Sequence, residues 1–373
     1  MARAMRLARS ALGTTSPNPA VGAVVVRDGV VVGEGYTLPA GQRHAEVGAL
    51  NQAGNAAEGA TLYCTLEPCC HYGRTPPCTD AIIAAGVSRV VYAVGDPNPR
   101  VDGGGVAALR AAGIGVERCS FSEADELYEA FAKHVTTGMP FVVAKFATSL
   151  DGKIATRTGA SQWITGPEAR ERVQQMRKEL DGIMVGIGTA LADDPQLTAR
   201  DTEGNALPSD VQPVRIVVDS SARISPGARM LRQPGRTIIA TGGDVDESSI
   251  AALEEAGATV RAFPGSDGRV NLAGLLEYLG GEGIVSVLVE GGGSVLGGML
   301  DGGLIDKVYA FVAPALIGGA GAPSPIEGNG ATVMADVTRL ERTRMEQIGA
   351  DWLITGYPMR GGTVRGSTAR GGN

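Results

Sequence analysis

The sequence has few aromatic residues, no long apolar run and no cluster of basic residues, and each shortage excludes a class of protein. Aromatic residues make up 4% of the 373 positions, and no apolar run reaches the roughly 18 residues that a membrane-spanning helix needs. The formal net charge is −7, so the positive footprint by which proteins bind nucleic-acid phosphates is missing. We therefore expect a protein that binds neither a membrane nor a nucleic acid.

Cysteine is also scarce, with five residues, which is an odd number. The first residues, MARAMRLARSALG, are basic and amphipathic but lack the A-x-A cleavage site of a signal peptide, so they predict a helix. Thiols stay reduced in the cytoplasm. We expect a cytoplasmic protein without disulfide bonds.

Glycine, by contrast, is abundant at 55 residues, beside 43% hydrophobic and 20% charged residues. This composition is typical of a globular α/β protein with many tight turns, and the length predicts two domains. Two β-branched runs between Val21 and Tyr36 are joined by Asp28-Gly29, which predicts a β-hairpin.

The order of strand and helix patterns predicts the domain organisation. Strands and helices alternate over residues 1–137, which predicts a largely parallel sheet with helices on both faces. The breaker-rich segment TTGMP, residues 136–140, predicts a domain boundary. A second domain over residues 141–358 contains the strand patterns FVVAKFATS, GIMVGIG, VRIVVDS, TIIATG and VSVLVE. The glycine-rich, basic residues 359–373 predict a disordered tail.

One constellation in the first domain points to metal chemistry. His44 and Glu46 form an H-x-E pattern at a predicted helix start, Cys69 follows a predicted strand, and Cys78 begins the next helix. One imidazole and two thiolates leave the fourth position of a catalytic zinc site open. Glu46 need not bind the metal and can carry a proton from the activated water to a leaving amine. This pattern is typical of the zinc-dependent nucleobase deaminases.

Two other interpretations of these cysteines stay open on the residues alone. His71 or Cys70 would complete a structural zinc site as a fourth ligand, or all the thiols would simply pack. Cys64 and Cys119 lie in strand patterns and are predicted to be buried thiols. We expect His71 to line a pocket or face solvent, and His134 to be structural.

The spacing between the two cysteines departs from the common P-C-x-x-C pattern, because eight residues separate Cys69 from Cys78. TLEPC followed by HYGRTPPC resembles the deaminase domain of the bifunctional riboflavin-biosynthesis deaminase/reductases. The later stretches KFATSLDGKIA, SQWITG, GTALADDPQLTAR, VRIVVDS and VLVEGGGSVLGG follow the order found in the reductase half of that family. The resemblance covers about residues 3–358, and Cys70 falls at a variable position of the motif.

For the first domain, the resemblance implies a cytidine-deaminase-like three-layer α/β fold with one zinc ion. His44, Cys69 and Cys78 are the implied zinc ligands, Glu46 the implied proton carrier, and Asn18 an implied contact with the pyrimidine ring. GDPNPRVDGGG, residues 95–105, is an implied substrate loop, although DPNP taken alone predicts only a turn.

For the second domain, the resemblance implies a dihydrofolate-reductase-like fold that uses NADPH. Implied NADPH contacts lie at Ala147, Trp163, Thr189, Asp193, Ser220, Gly292, Gly293, Ser294, Val295, Leu296, Gly297 and Gly298. Implied substrate contacts lie at Ser161, Arg177, Leu197, Arg200 and Glu290. Taken alone, Trp163 would be assigned to a core, Arg177 to a solvated helix face and Asp193 to a turn. Few conspicuous catalytic side chains are expected, because the cofactor carries the hydride chemistry.

The resemblance also implies the reactions. The first domain would deaminate 2,5-diamino-6-ribosylamino-4(3H)-pyrimidinone 5′-phosphate, and the second would reduce the ribosyl chain to give 5-amino-6-(5-phosphoribitylamino)uracil. The substrate is thus a small phosphorylated pyrimidine, and a homodimer or tetramer is implied. Two other hypotheses stay open: a deaminase that acts on tRNA or DNA, and a non-catalytic binding protein that zinc stabilises.

Overall fold

The structure is a computed structural model that describes residues 1–359. The predicted tail, residues 359–373, lies outside the described residues except for Met359. The first 137 residues form five strands and five α-helices: α1 (Ala2–Ser10), β1 (Gly22–Arg27), β2 (Val30–Tyr36), α2 (Ala45–Ala53), β3 (Thr61–Leu66), α3 (Cys78–Ala84), β4 (Arg89–Val94), α4 (Gly104–Ala111), β5 (Gly115–Arg118) and α5 (Ala124–Thr137).

The first sheet has the strand order β2-β1-β3-β4-β5. The predicted hairpin is present, with Asp28 at φ +49° and Gly29 at φ +77° in the turn between β1 and β2. Strand β1 pairs antiparallel with both β2 and β3, whereas β3, β4 and β5 are parallel. The prediction of a largely parallel sheet is therefore wrong for two of its four pairings. The reason is that the hairpin reverses the chain, and the connection through α2 then places β3 on the other side of β1.

Helices cover both faces of this sheet, as predicted. Gly22 and its cross-strand partner Tyr36 share one face, and a Cβ at Gly22 would lie 2.0 Å from the Ala4 carbonyl oxygen of α1. Ala23 and its partner Gly35 share the opposite face, where a Cβ at Gly35 would lie 2.2 Å from the carbonyl oxygen of Ala45 in α2. Because only glycine fits at these crossings, both helices pack directly against the strand backbone.

Residues 138–359 add nine strands and five α-helices: β6 (Phe141–Ser149), α6 (Pro167–Glu179), β7 (Gly182–Gly186), α7 (Ile187–Asp193), β8 (Val214–Val218), β9 (Thr237–Thr241), α8 (Glu247–Glu255), β10 (Thr259–Ala262), α9 (Leu272–Gly281), β11 (Ser286–Gly291), α10 (Gly293–Asp301), β12 (Lys307–Ala313), β13 (Leu340–Ile348) and β14 (Asp351–Pro358). All five predicted strand patterns form strands.

Contacts divide the chain into two compact units. The first unit contains residues 1–141 and 172–288, and the second contains residues 142–171 and the chain from Val289 onward. The predicted boundary at residues 136–140 stays a prediction.

In the first unit, strands β10, β9, β8 and β7 lie side by side and are all parallel. Val185, Val217, Ile239 and Val260 bury one face of these strands together with Leu253 of α8. Side chains cap the starts of helices α8 and α9. The Asp246 carboxylate accepts a hydrogen bond from the Ser249 N–H at the start of α8, and the Asn271 side chain accepts one from the Gly274 N–H at the start of α9.

In the second unit, strand β6 pairs parallel with β12, and β12, β14 and β13 follow one another as antiparallel neighbours. Strand β13 is exposed along most of its length. Phe311 and Leu353 are fully buried cross-strand partners in this sheet. None of the helices in the part of the chain described here is long and apolar enough to cross a membrane.

Candidate active site

Three elements within residues 1–137 position the predicted zinc ligands. His44 is the residue directly before α2, Cys69 follows the end of β3, and Cys78 is the first residue of α3. The backbone N–H of Cys78 donates a hydrogen bond to Cys69 Sγ at 3.3 Å. The Cys69 sulfur therefore lies at the amino-terminal end of α3, where the helix dipole favours a thiolate. All five cysteines are free.

The three ligand atoms have the spacing that zinc requires. His44 Nδ1 lies 3.3 Å from Cys78 Sγ and 3.6 Å from Cys69 Sγ. Tetrahedral zinc with bonds of about 2.0 Å to nitrogen and 2.3 Å to sulfur would hold such atoms about 3.5–3.8 Å apart. In the described part of the chain, no fourth His, Cys, Asp or Glu joins this cluster. The donor set thus fits a zinc ion with one position left for solvent or substrate.

The protonation of the two thiols also suits a metal site. The pKa of Cys69 is lowered to about 4, chiefly because the Cys78 thiol donates a hydrogen bond to it and His44 lies beside it. The same hydrogen bond, together with burial, raises the pKa of Cys78. The hydrogen bond between the two sulfurs thus favours the thiolate form at Cys69, and the Cys78 thiol would lose its proton on metal binding.

Thr75 orients the imidazole ring of His44. Its hydroxyl oxygen lies 3.2 Å from His44 Nε2, the ring nitrogen that does not face the sulfurs. A partner at this nitrogen fixes the ring orientation and leaves Nδ1 for the metal. Sequence reasoning missed Thr75, although it lies in the spacer between the two cysteines.

Glu46 is buried next to this cluster, with 3% of its surface exposed. It lies in the first turn of α2, two residues after His44. Burial is the main reason why its pKa is raised to about 7. A carboxyl group with a pKa near neutrality can both accept and return a proton during one reaction.

A cavity of about 290 Å³ opens onto these residues. It brings together Asn18, His44, Glu46 and Cys69, as the sequence predicts, while Cys78 lies behind them in the buried core. Five residues that sequence reasoning did not assign to a site also line the cavity: Thr37, Glu67, Phe131, His134 and Val135. Asp96 and Asn98 line it too. Both belong to the implied substrate loop. His71 lines the cavity as predicted, and so does His134, for which a structural role was expected.

Glu67 holds the implied substrate loop, residues 95–105, beside the cavity. Its Oε1 accepts a hydrogen bond from the Val106 N–H at 3.0 Å, and its Oε2 accepts bonds from the N–H groups of Gly103 at 3.3 Å and Asp96 at 3.5 Å. A Cβ at Gly105 would lie 2.0 Å from the Pro68 carbonyl oxygen. The buried carboxylate therefore caps the start of α4 and joins both ends of the loop to strand β3.

Replacing Glu67 by alanine should loosen this loop. The change leaves buried N–H groups without an acceptor, so the free energy for opening residues 96–111 should fall by about 2–4 kcal/mol. Hydrogen–deuterium exchange of peptides from this segment measures the change. Glu117→Ala is the control, because it removes only the half-exposed ion pair with Arg89, and such solvent-screened pairs contribute little to stability. If peptides from residues 96–111 exchange equally in the two variants, Glu67 does not stabilise this loop.

Six residues with implied reductase roles lie in the first unit. Thr189 and Asp193 are on α7, and Ser220 lies two residues after β8. Arg177, on α6, donates a hydrogen bond to the Thr198 carbonyl oxygen at 3.4 Å, and Arg200 Nε donates one to the Thr198 hydroxyl at 3.2 Å. Leu197, buried at φ +50°, directly precedes Thr198. The structure thus brings Arg177, Leu197 and Arg200 together around one residue.

The other implied reductase contacts lie in the second unit. Ala147 is on β6, Ser161 precedes the exposed Trp163, and Glu290 lies at the end of β11. Trp163 is 70% exposed, with the Arg170 guanidinium 4.7 Å above its ring, so the residue taken alone would have been wrongly assigned to a core. An exposed indole stacked on a cation is a surface group available to a planar ligand.

The glycine-rich segment is a strand-to-helix turn, as predicted. Strand β11 ends at Gly291, Gly292 adopts φ +93°, and α10 begins at Gly293. Within this turn and helix, Val295, Leu296 and Gly297 are buried, so little of these three residues reaches the surface. The Ser294 hydroxyl donates a hydrogen bond to Glu327 Oε2 at 2.7 Å, a partner that the sequence did not reveal.

Comparison with known proteins decides the family. Residues 140–354 match the RibD C-terminal domain, and residues 1–94 match the zinc-binding region of cytidine and deoxycytidylate deaminases. The riboflavin biosynthesis protein RibD of Escherichia coli strain K12 is 44% identical over 361 residues, 94% of this chain and 96% of that protein. RibD of Bacillus amyloliquefaciens is 44% identical over 364 residues, 96% of this chain and 95% of that protein. The chain belongs to the RibD family.

Solved structures of the RibD family share the fold. Acinetobacter baumannii RibD superposes with a TM-score of 0.84 at 38% identity over 96% of this chain and 98% of that chain. A Thermotoga maritima protein, described as a diaminohydroxyphosphoribosylaminopyrimidine deaminase/5-amino-6-(5-phosphoribosylamino)uracil reductase, superposes with a TM-score of 0.82 at 35% identity over 96% of this chain and 97% of that chain. The predicted α/β fold class is confirmed.

RibD membership settles the activity at the level of the family. The chain is a bifunctional deaminase/reductase of riboflavin biosynthesis, with a zinc-binding deaminase domain and a reductase domain of the NADPH-using type. The hypotheses of a tRNA or DNA deaminase and of a non-catalytic zinc protein are therefore set aside.

Proposed function

We propose that the first domain deaminates 2,5-diamino-6-ribosylamino-4(3H)-pyrimidinone 5′-phosphate in the 290 Å³ cavity. The observation that carries this proposal is the cluster of His44, Cys69 and Cys78 at one wall of that cavity, with buried Glu46 beside it. Asn18 lines the same cavity and offers amide hydrogen bonds to a pyrimidine edge. The three clustered residues would hold zinc, and Asn18 would orient the ring.

The reaction exchanges an exocyclic amine for oxygen: water adds to the ring carbon, and ammonia leaves. Zinc, when bound, supplies a Lewis acid that lowers the pKa of water to about 7. Glu46 accepts the proton that this water loses and delivers it to the departing nitrogen, so the carboxyl group is restored after each turnover. Burial favours this role, because the same environment that raises the pKa of Glu46 excludes competing water.

We propose that the second domain reduces the ribosyl chain of the deaminated product and yields 5-amino-6-(5-phosphoribitylamino)uracil. NADPH, when bound, supplies the hydride. Arg177 and Arg200 would bind the substrate phosphate, because both guanidinium groups already meet at Thr198 and such groups pair bidentately with phosphate. Leu197, Ser161 and Glu290 complete the proposed substrate contacts. NADPH would contact Ala147, Trp163, Thr189, Asp193, Ser220 and the segment Gly292–Gly298.

We also propose a deaminase domain over residues 1–137, a reductase domain over residues 141–358, and a homodimer or tetramer that works in the cytoplasm. The exposed strand β13 supports self-association, because it ends its sheet and, with β14, exposes Met345 and Trp352. Exposed edges with apolar side chains are surfaces on which a second chain can pair. Light scattering that gives a monomer mass, or cell fractionation that places the protein outside the cytoplasm, would contradict these proposals.

A coupled assay tests the two proposed reactions together. Zinc-loaded protein should release ammonia from the diaminopyrimidine phosphate, and NADPH oxidation should follow only after ammonia appears. Removing zinc with a chelator should stop ammonia release but leave NADPH oxidation with the deaminated compound intact. NADPH oxidation without prior deamination, or ammonia release from zinc-free protein, would overturn the proposed order or the proposed metal chemistry.

A further inference from the structure

The carboxylate of Asp181 links the start of strand β7 to the wall of the deaminase cavity. Its Oδ1 accepts a hydrogen bond from the Ser16 hydroxyl at 2.7 Å. Its Oδ2 accepts bonds from the backbone N–H groups of Val285 at 2.9 Å and Ser286 at 3.0 Å, and from the Ser286 hydroxyl at 3.1 Å. Burial raises the pKa of Asp181, and the hydrogen bond from Ser16 is the strongest influence in the opposite direction. All these residues belong to the first unit.

Ser16 belongs to a tight turn, residues 15–18, that forms part of the cavity wall. The Asn18 N–H donates to the Thr15 carbonyl oxygen at 2.9 Å, and the Thr15 hydroxyl donates to the Asn18 carbonyl oxygen at 3.0 Å. Pro17 and Asn18 both line the cavity. Because these two hydrogen bonds close the turn, a displacement of Ser16 would also displace the backbone that carries the Asn18 side chain.

Two other close approaches lie on either side of Ser16. A Cβ at Gly13 would lie 1.9 Å from the Lys178 carbonyl oxygen, so the chain approaches the end of α6 closely just before the turn. Beyond it, the Pro17 ring lies near Gly283, whose added Cβ would be 3.8 Å from the ring carbons. These are backbone and ring contacts, whereas the Ser16–Asp181 bond is a directed polar bond that fixes the orientation of the turn.

We propose that Asp181 is a positioning residue for deamination, which acts through Ser16 to hold Asn18 at the pyrimidine-binding wall of the cavity. This inference rests on the proposed function, because it takes Asn18 as a contact with the substrate. A carboxylate in the sequence assigned to the reductase half thus completes the deaminase site. The physical reason is that an amide hydrogen bond to a ring edge needs its donor and acceptor within a few tenths of an ångström of their best positions.

Ser16→Ala in the full-length, zinc-loaded protein tests the inference. The change removes the bond to Asp181 Oδ1 and leaves the three bonds to Oδ2 in place. We expect KM for the diaminopyrimidine phosphate to rise about 10-fold, with kcat for ammonia release within about twofold of the parent protein. NADPH oxidation with the deaminated compound should keep its kcat and KM. Ser16→Thr, which retains the hydroxyl, should restore KM.

Thr14→Ala is the matched control. Its hydroxyl, two residues away, bonds only to the Ala11 carbonyl oxygen at 2.8 Å, and its side chain is exposed. This variant should keep the parent KM. If Ser16→Ala does not fold, Asp181→Asn replaces it, because the amide retains an acceptor for Val285 and Ser286 while it removes the charge opposite Ser16. That variant should also raise KM for deamination.

The outcomes separate this inference from the proposed function. A parent protein that releases no ammonia overturns the proposed function. If the parent is active, an unchanged KM in Ser16→Ala, or in its substitute, overturns the inference, and so does a fall in kcat without a change in KM. A KM that rises equally in Thr14→Ala would also overturn it, because the effect would then be a general loosening of the amino-terminal segment.

Discussion

Glu46→Gln is expected to lower the rate of ammonia release by about 10²–10⁴-fold, the contribution that a positioned proton carrier makes. Glutamine has nearly the same shape as glutamate but cannot accept a proton at neutral pH. Zinc content should stay unchanged, because Glu46 lies outside the cluster of His44, Cys69 and Cys78. The substrate would still bind, but the proton released by the attacking water would lose the carboxylate acceptor that lies beside the ligand cluster.

The measurement is steady-state ammonia release with zinc determined on the same sample. Glu117→Gln is the control, since Glu117 is a half-exposed carboxylate in the same domain that forms a surface ion pair. NADPH oxidation with the deaminated compound should be equal in the parent protein and both variants. If Glu46→Gln releases ammonia at the parent rate, the assigned mechanism is wrong.

Cys78→Ala is expected to remove zinc from the protein and abolish deamination. Cys78 is fully buried and lies 3.3 Å from His44 Nδ1, so no other side chain can move into its place without repacking. A site left with two protein ligands loses the geometry that zinc requires. Loss of a ligand that joins two helices should also destabilise the first sheet domain, because metal binding contributes directly to folding.

Cys70→Ala is the matched control for this variant. Cys70 neighbours Cys69 in the chain but lies outside the ligand cluster, and the sequence likewise predicts a bystander. Zinc content by atomic emission and ammonia release should therefore match those of the parent protein. If Cys70→Ala loses zinc while Cys78→Ala keeps it, the ligand set proposed here is wrong. Retained deamination in zinc-free Cys78→Ala would contradict the metal chemistry itself.

Local patterns were enough to predict the ligand cluster. His44 precedes a helix, Cys69 follows a strand and Cys78 begins a helix, and each of these positions is set by short-range signals such as breakers and periodicity. Free backbone N–H groups at helix starts attract anionic sulfur wherever they occur. The roles of these residues stay a proposal, but their proximity was predictable without tertiary information.

Long-range packing determines two features that the sequence did not reveal: the direction in which β1 and β3 pair, and the exposure of Trp163. Strand β1 became antiparallel to β3 because of how the chain returns through α2, and no local signal records that choice. Trp163 is exposed in the folded chain, although a tryptophan considered by residue type alone is expected to be buried.

Residue types and their short spacing were enough to predict the family, the two chemistries and the proposed metal ligands. Which distant residues complete the site depends instead on long-range packing. Glu67 reaches the start of α4, and Asp181 reaches Ser16 across 165 positions of sequence separation. Such hydrogen bonds depend on where the backbone lies after both segments have packed, and the residue types themselves do not encode that information.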